Sequence, residues 1–271
     1  MNEHAERGVL TEHVGHGITV VWLNRPARLN ALSSDLMAEL TETLRSASKR
    51  SRVIVLSGRG RAFCAGGDLK ELHPLLSESD INARRVHMRA FQEVITTIRS
   101  LPCPVVAAVN GVCAGAGISL ALASDLVVAG ADVQFHPTFT RAGLVPDLGS
   151  LHLWSQALGP RRAKEMALLA EPLRAEDARS LGMVNRVVPA DEVLESALEI
   201  AHRLAAGPSA ALQMVKDIIN REDQAELDAS MVLESYAQAA AFSTGEVDEG
   251  VAAFLEGRAA HFRDSDAGIA Q

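Results

Sequence analysis

Two Cys-Ala-Gly turns are the first places in this chain where residue type and spacing point to chemistry. Residues 53–68 read VIVLSGRGRAFCAGGD and residues 105–117 read VVAAVNGVCAGAG. Each is an apolar run, a glycine, a short excursion and then Cys-Ala-Gly, so Gly67 falls in the register of Ala116. An apolar strand feeding a small-residue turn leaves backbone N–H groups without partners at the start of the next helix. Two such turns side by side would aim two N–H donors at one oxygen, an arrangement that stabilises developing negative charge. The turns carry no acid or base, so the reactive group has to come from elsewhere.

Other readings of the second turn fit less well. It has no GxxxxGK[ST] phosphate loop, and as a dinucleotide fingerprint it places Leu120 where the third glycine belongs. Gly117-Ile118-Ser119-Leu120-Ala121 approximates a nucleophile elbow, for which Asp147 and His261 would supply triad partners in the right chain order. Asp147, in GLVPDLGS, has two local readings: a cap for the helix that follows, or a proton shuttle. His73, His87 and His136 are further acid/base candidates, whereas Asp68 and Asp125 end turns and read as caps. There is no HExxH and no convincing metal-ligand spacing, so no metal is expected.

These residues need a scaffold of strands and helices. At 271 residues the chain can bury a sizeable core without disulfides. Strands are expected at ITVVWLN (18–24), VIVLSG (53–58), PVVAAVNG and DLVVAG, with helices over 34–47, about 80–100 and GISLALA. Alternating strands and helices indicate an α/β fold with a largely parallel sheet. From about residue 160 the pattern turns helical, and Gly207-Pro208 is a candidate boundary between a core, 1–206, and a helical C-terminal module, 207–271.

A net charge of −8 argues against a nucleic-acid partner. Residues 101–123 carry no charge over a membrane-spanning length, but two prolines, three glycines and Asn110 favour a buried strand, turn and helix, so no membrane partner is expected. Three cysteines (Cys64, Cys103, Cys113) without a CxxC, and an N-terminus with no apolar signal core, suit a cytoplasmic protein.

The chain resembles the crotonase, or enoyl-CoA hydratase/isomerase, superfamily. The resemblance is carried, in order, by LNRPARLNAL (23–32), GRGRAFCAGGDLKEL (58–72), VVAAVNGVCAGAGISLALASDLVVA (105–129), AGLVPDLGS (142–150), ALLAEPLRAEDARSLGMVNRVVP (167–189) and EGVAAFLEGRAAHF (249–262). It spans about residues 15–265. It implies a crotonase-like spiral of ββα repeats with a helical C-terminal trimerisation region, assembled as a homotrimer or a dimer of trimers. It implies an enzyme of fatty acid metabolism whose substrate is an acyl-CoA thioester and which needs no cofactor. The thioester oxygen would be held by the N–H groups of Gly67 and Ala116. Arg28, Ala65 and Lys70 match positions that contact CoA, and Ser119, Phe139 and His136 would line the pocket. Phe254, Arg258 and Phe262 lie where the family often completes the pocket, although packing is the expected role here.

Hydratases of this family use two glutamates to position water, and the corresponding positions here hold Ser119 and Phe139. Classical hydration is therefore not expected. Asp147 stands where isomerase-type branches, including that acting on ring-epoxidised aryl-CoAs, carry a catalytic aspartate. The resemblance thus implies an acyl-CoA isomerase with Asp147 as the acid/base, the alternative being a non-catalytic acyl-CoA binding protein on the same fold.

Overall fold

The computed structural model describes residues 7–71 and 80–262. Strands β1 (Val9–Gly15) and β2 (Ile18–Leu23) form an antiparallel hairpin. β1 is exposed at residues 11–13 and lacks the apolar alternation that would announce it in sequence. Helix α1 (Ser34–Ser48) starts where the Ser33 side chain accepts the Leu36 N–H at 3.2 Å, and it buries Leu36, Leu40 and Leu44 one turn apart.

Three strand-strand-helix units follow. β3 (Val53–Gly58) and β4 (Ala62–Cys64) precede α2 (Ile81–Ser100). β5 (Val105–Val109) and β6 (Val112–Ala114) lead directly into α3 (Ala116–Ala123). β7 (Leu126–Gly130) and β8 (Gln134–His136) precede α4 (Ser150–Leu169). Helix α4 begins ten residues before the helical pattern at 160, and is interrupted at Gly159, whose φ of 75° is followed by Pro160. The chain closes with β9 (Leu173–Arg174), α5 (Ala175–Ser180), β10 (Arg186–Val188), α6 (Val193–Ala205), α7 (Ser209–Glu222), α8 (Gln224–Ala241) and α9 (Glu246–Glu256).

The first strand of each unit enters a six-stranded sheet ordered β1-β2-β3-β5-β7-β10, and the second enters a four-stranded sheet ordered β4-β6-β8-β9. The chain therefore winds as a spiral of ββα turns, as expected. β3 and β5 are buried at every residue, because the parallel sheet is covered on both faces. One face packs on α6 through Val193, Ala197 and Ala201, and the other on the shared core of α1 to α4. The uncharged segment 101–123 lies in this interior as β5, β6 and α3, and no helix among the described residues is long and apolar enough to cross a membrane.

The C-terminal helices share the main core, since Leu227, Met231, Phe242, Val247 and Val251 belong to it. Helix α7 is tied on by a buried cation. Lys216 Nζ donates to the carbonyls of Ile98 (3.0 Å) and Cys103 (3.1 Å) and to Asp125 (2.8 Å), which also accepts the Val105 N–H.

Candidate active site

The two Cys-Ala-Gly turns stack on one another. Cys64 on β4 pairs in register with Cys113 on β6, so the sequence repeat becomes spatial adjacency. A methyl group on Gly66 would lie 2.9 Å from the Ala114 carbonyl oxygen and 3.4 Å from the Ala116 nitrogen. One on Gly117 would lie 2.4 Å from the Cys64 carbonyl oxygen, which is why helix α3 can approach β4 so closely. Gly67 forms a parallel bridge with Leu32 through the Gly66 carbonyl and the Asp68 N–H, leaving its own N–H outside the ladder. Ala116 is the first residue of α3, where an N–H has no intrahelical acceptor. Both residues line a cavity of about 1010 Å³.

The cavity has a basic mouth. Arg28, Arg61, Lys70, Arg141 and Arg258 line it and are all exposed. Arg28 is held there by a turn in which Leu29 and Asn30 both have positive φ, 51° and 57°. Buried Asn30 secures that turn, accepting the Arg25 N–H at 2.8 Å and donating to the carbonyls of Arg59 (3.1 Å) and Ala62 (2.8 Å). Ala65 donates its N–H to the Leu29 carbonyl at 3.0 Å and also lines the cavity. Farther in, the wall is apolar, with Leu69, Met88, Phe91, Phe139, Leu144 and Leu148.

Two carboxyl groups line the cavity among the described residues. Asp68 is ion-paired to Arg25 at 3.1 Å and accepts the Lys70 N–H at the start of a helical turn. Asp147 is different: it is buried, and no other described residue donates a hydrogen bond to its carboxylate. Burial first, and the nearby Glu234 carboxylate second, push its pKa well above the ordinary aspartate range.

The reading of Asp147 as a helix cap is overturned. Helix α8 supplies the cap: Glu234 accepts the N–H groups of Gly149 (2.8 Å) and Leu151 (3.2 Å) at the start of α4. One turn along, Gln238 accepts the Val145 N–H at 2.7 Å. The loop 145–151 is thus gripped on both sides of Asp147, while its side chain stays unused by the fold. Glu234 is itself pushed up by burial to about 7. A group that binds its proton more tightly when folded stabilises the fold at low pH, and that stabilisation is lost as pH rises from about 4.5 through about 7. A shift of this size corresponds to roughly 3 kcal/mol. Glu234→Gln should flatten that part of the stability–pH curve, measured by urea unfolding between pH 5 and pH 8; an unchanged slope would contradict the assignment.

The family model described as enoyl-CoA hydratase/isomerase matches residues 13–265. The chain belongs to the enoyl-CoA hydratase/isomerase family. Among its relatives, a probable enoyl-CoA hydratase of Rhodobacter capsulatus is 39% identical over 92% of this chain and 95% of that one. A 1,2-epoxyphenylacetyl-CoA isomerase of Escherichia coli is 36% identical over 93% of this chain and 97% of its own. The crystal structure of an enoyl-CoA hydratase from Mycobacterium avium subsp. paratuberculosis superposes with a TM-score of 0.84 at 32% identity, covering 95% of this chain and 99% of the other. The spiral described above is accordingly the crotonase fold.

Within that family frame, the expected pocket residues divide. His136 and Phe139 line the cavity; the Phe139 ring lies 6.2 Å from that of buried Trp154. Ser119 does not line it and corrects the expectation. It is fully buried behind the wall, where its Oγ shares a 2.6 Å hydrogen bond with Ser150 Oγ, which donates to the Asp147 carbonyl at 2.5 Å. Ser119 therefore braces the Asp147 loop from α3, and its partnership with Ser150 leaves the triad reading without a base. Phe254, Arg258 and Phe262 reach the cavity instead of packing in the core, with Phe254 64% exposed and Arg258 paired to Glu249 at 2.6 Å.

His87 also lines the cavity, and burial lowers its pKa, as burial and then Arg141 lower that of His136. His73 lies outside the described residues. Burial pushes the Cys64 thiol up to about 12 and Cys113 higher than its ordinary value, so both remain protonated. Asp125 caps nothing; it serves the Lys216 contact and β5. Glu234 and Gln238 are absent from any sequence motif. Their signal was positional: they fall on the same helical stripe as buried Leu227 and Met231, polar residues where apolar ones belong.

Proposed function

We propose that this family member is an acyl-CoA isomerase in which Asp147 moves a proton on an unsaturated acyl-CoA. The observation that carries the reading is the isolation of Asp147: a buried carboxyl that accepts no hydrogen bond from another described residue, in a cavity also lined by Gly67 and Ala116, whose N–H groups meet no acceptor among the described residues. Removing a proton next to a thioester sends negative charge onto the carbonyl oxygen. The N–H groups of Gly67 and Ala116 would hold that enolate oxygen, each worth roughly 3 kcal/mol in comparable sites. Asp147 would accept a proton from one carbon and return it to another, and burial strengthens its hold on that proton. Arg28, Lys70 and the other cations at the mouth suit the phosphates of CoA. Phe139 and buried Ser119 offer no carboxylates for positioning water, which favours isomerisation over hydration. The isomerase name of the Escherichia coli relative supports this choice, while the hydratase names of others keep hydration as the reading to test against.

The test is incubation with a 3-enoyl-CoA in deuterated water. Deuterium at the α or γ carbon without a 3-hydroxyacyl product is the expected result. In a parallel incubation with the matching 2-enoyl-CoA, stoichiometric 3-hydroxyacyl-CoA, with no exchange on the 3-enoyl ester, would overturn it in favour of hydration. Tight binding without exchange or hydration across a varied ester panel would favour a non-catalytic binder.

Part of this proposal is the assembly. Helix α7 leaves Met214, Val215, Ile218 and Ile219 exposed along one stripe, each more than half accessible, and α8 adds Leu233 and Tyr236. Such a face fits burial between copies of the chain, as a homotrimer or dimer of trimers. The free thiols of Cys64, Cys103 and Cys113 fit a reducing, cytoplasmic setting.

A further inference from the structure

Gln238 is a buried carboxamide facing a largely apolar acyl pocket, and only half of it is used by the fold. It is 1% exposed and lines the cavity. The Val145 N–H, 2.7 Å away, must meet an acceptor, which fixes the carbonyl end of the side chain toward the loop. The other end is then an NH2 group with two donors, and neither meets an acceptor in the chain among the described residues. The nitrogen is not fully shielded, and the cavity is the space that the side chain lines. Burying such a donor without a partner is costly. The placement is close to the chemistry, because Val145 is two residues from Asp147 and Glu234 grips the same loop one turn earlier on α8. Apart from Asp147, the other polar side chains of the cavity differ: Asp68, His87, Thr138 and His136 are only half-buried, and the cations sit at the mouth.

We infer that Gln238 is a specificity-determining residue whose NH2 group hydrogen-bonds an oxygen carried by the acyl chain, so that the pocket selects oxygen-bearing acyl-CoA esters over plain hydrocarbon ones. The substrate class is an acyl group with a neutral acceptor, such as an ether, epoxide, hydroxyl or ketone oxygen, within reach of the carbons that Asp147 serves. The inference rests on the assignment of this cavity to an acyl-CoA, and it refines that assignment.

Binding of unreactive esters tests it without requiring turnover. Hexanoyl-CoA is compared by calorimetry with its 3-oxa, 4-oxa and 5-oxa analogues, in which one methylene is replaced by oxygen. The wild-type protein should bind at least one ether more tightly than hexanoyl-CoA, by roughly five- to tenfold. If none of the three binds more tightly than the hydrocarbon, the inference is wrong and water satisfies the NH2 group. Gln238→Met, close in shape, should remove the preference while binding hexanoyl-CoA. Equal losses for ether and hydrocarbon would instead assign Gln238 to holding the loop, a purely structural role. Failure of the proton-exchange experiment with intact ether selectivity would overturn the isomerase reading alone; exchange without ether selectivity would overturn only the role of Gln238.

Discussion

Asp147→Asn is expected to lose at least 10²-fold in turnover, and up to about 10⁴-fold, while retaining affinity for the CoA ester. The side chains are nearly equal in volume, so the cavity and its two N–H donors stay in place. The amide cannot accept and return a proton. The same substitution should stabilise the protein above neutral pH. In the wild type the ionised carboxylate is buried, lacks donors from other residues and faces Glu234, so its charged form is disfavoured by the folded state. Asparagine has no charge to bury. A fall in rate together with a rise in Tm at pH 8 is the signature of a group kept for chemistry at a cost in stability. Solvent deuterium exchange, ester affinity and thermal unfolding on one preparation check all three expectations. A variant that exchanges at the wild-type rate removes Asp147 from the mechanism.

Lys216→Ala is expected to cost about 3–5 kcal/mol of folding free energy, the range for removing one partner of a buried ion pair. The lysine side chain is 4% exposed, and its ammonium group meets three acceptors, the carbonyls of Ile98 and Cys103 and the carboxylate of Asp125. Burial raises the Asp125 pKa, and the charge and hydrogen bond of Lys216 are the largest opposing influences. Without the lysine, Asp125 keeps the Val105 N–H but stays half-buried without a counter-ion, beside two carbonyls that lose a donor. The loss should be read by urea unfolding at a fixed chain concentration, because α7 also carries the exposed apolar stripe and assembly would shift apparent stability. Lys216→Met with Asp125→Asn should recover part of it, since the double change removes the orphaned charge. A loss below about 1 kcal/mol would show that the contact does not hold α7 to the core.

Much of the scaffold was legible because local pattern and global packing agree in it. VIVLSG is strand β3 to the residue, and the uncharged GISLALA is a helix buried on nearly every side. The repeated Cys-Ala-Gly was readable as two neighbouring turns because strand pairing converts equal spacing into adjacency, as the Cys64–Cys113 pair does. The polar hairpin strand β1 and the first half of α4 were not legible, since their pattern depends on neighbours that sequence does not name.

Residue chemistry in linear order determined which groups exist: paired turns without an acid, an aspartate in GLVPD, and no glutamate at positions 119 and 139. It left Asp147 equally plausible as a cap and as a proton carrier. The tertiary structure removes the cap reading, because a helix 83 residues downstream brings Glu234 to the amide of Leu151 in its place. The same long-range packing turned Ser119 inward to Ser150 and set Gln238 half into the cavity. Capping is satisfied by whichever acceptor reaches the N–H first in space, and spatial reach across such separations is not written in local spacing.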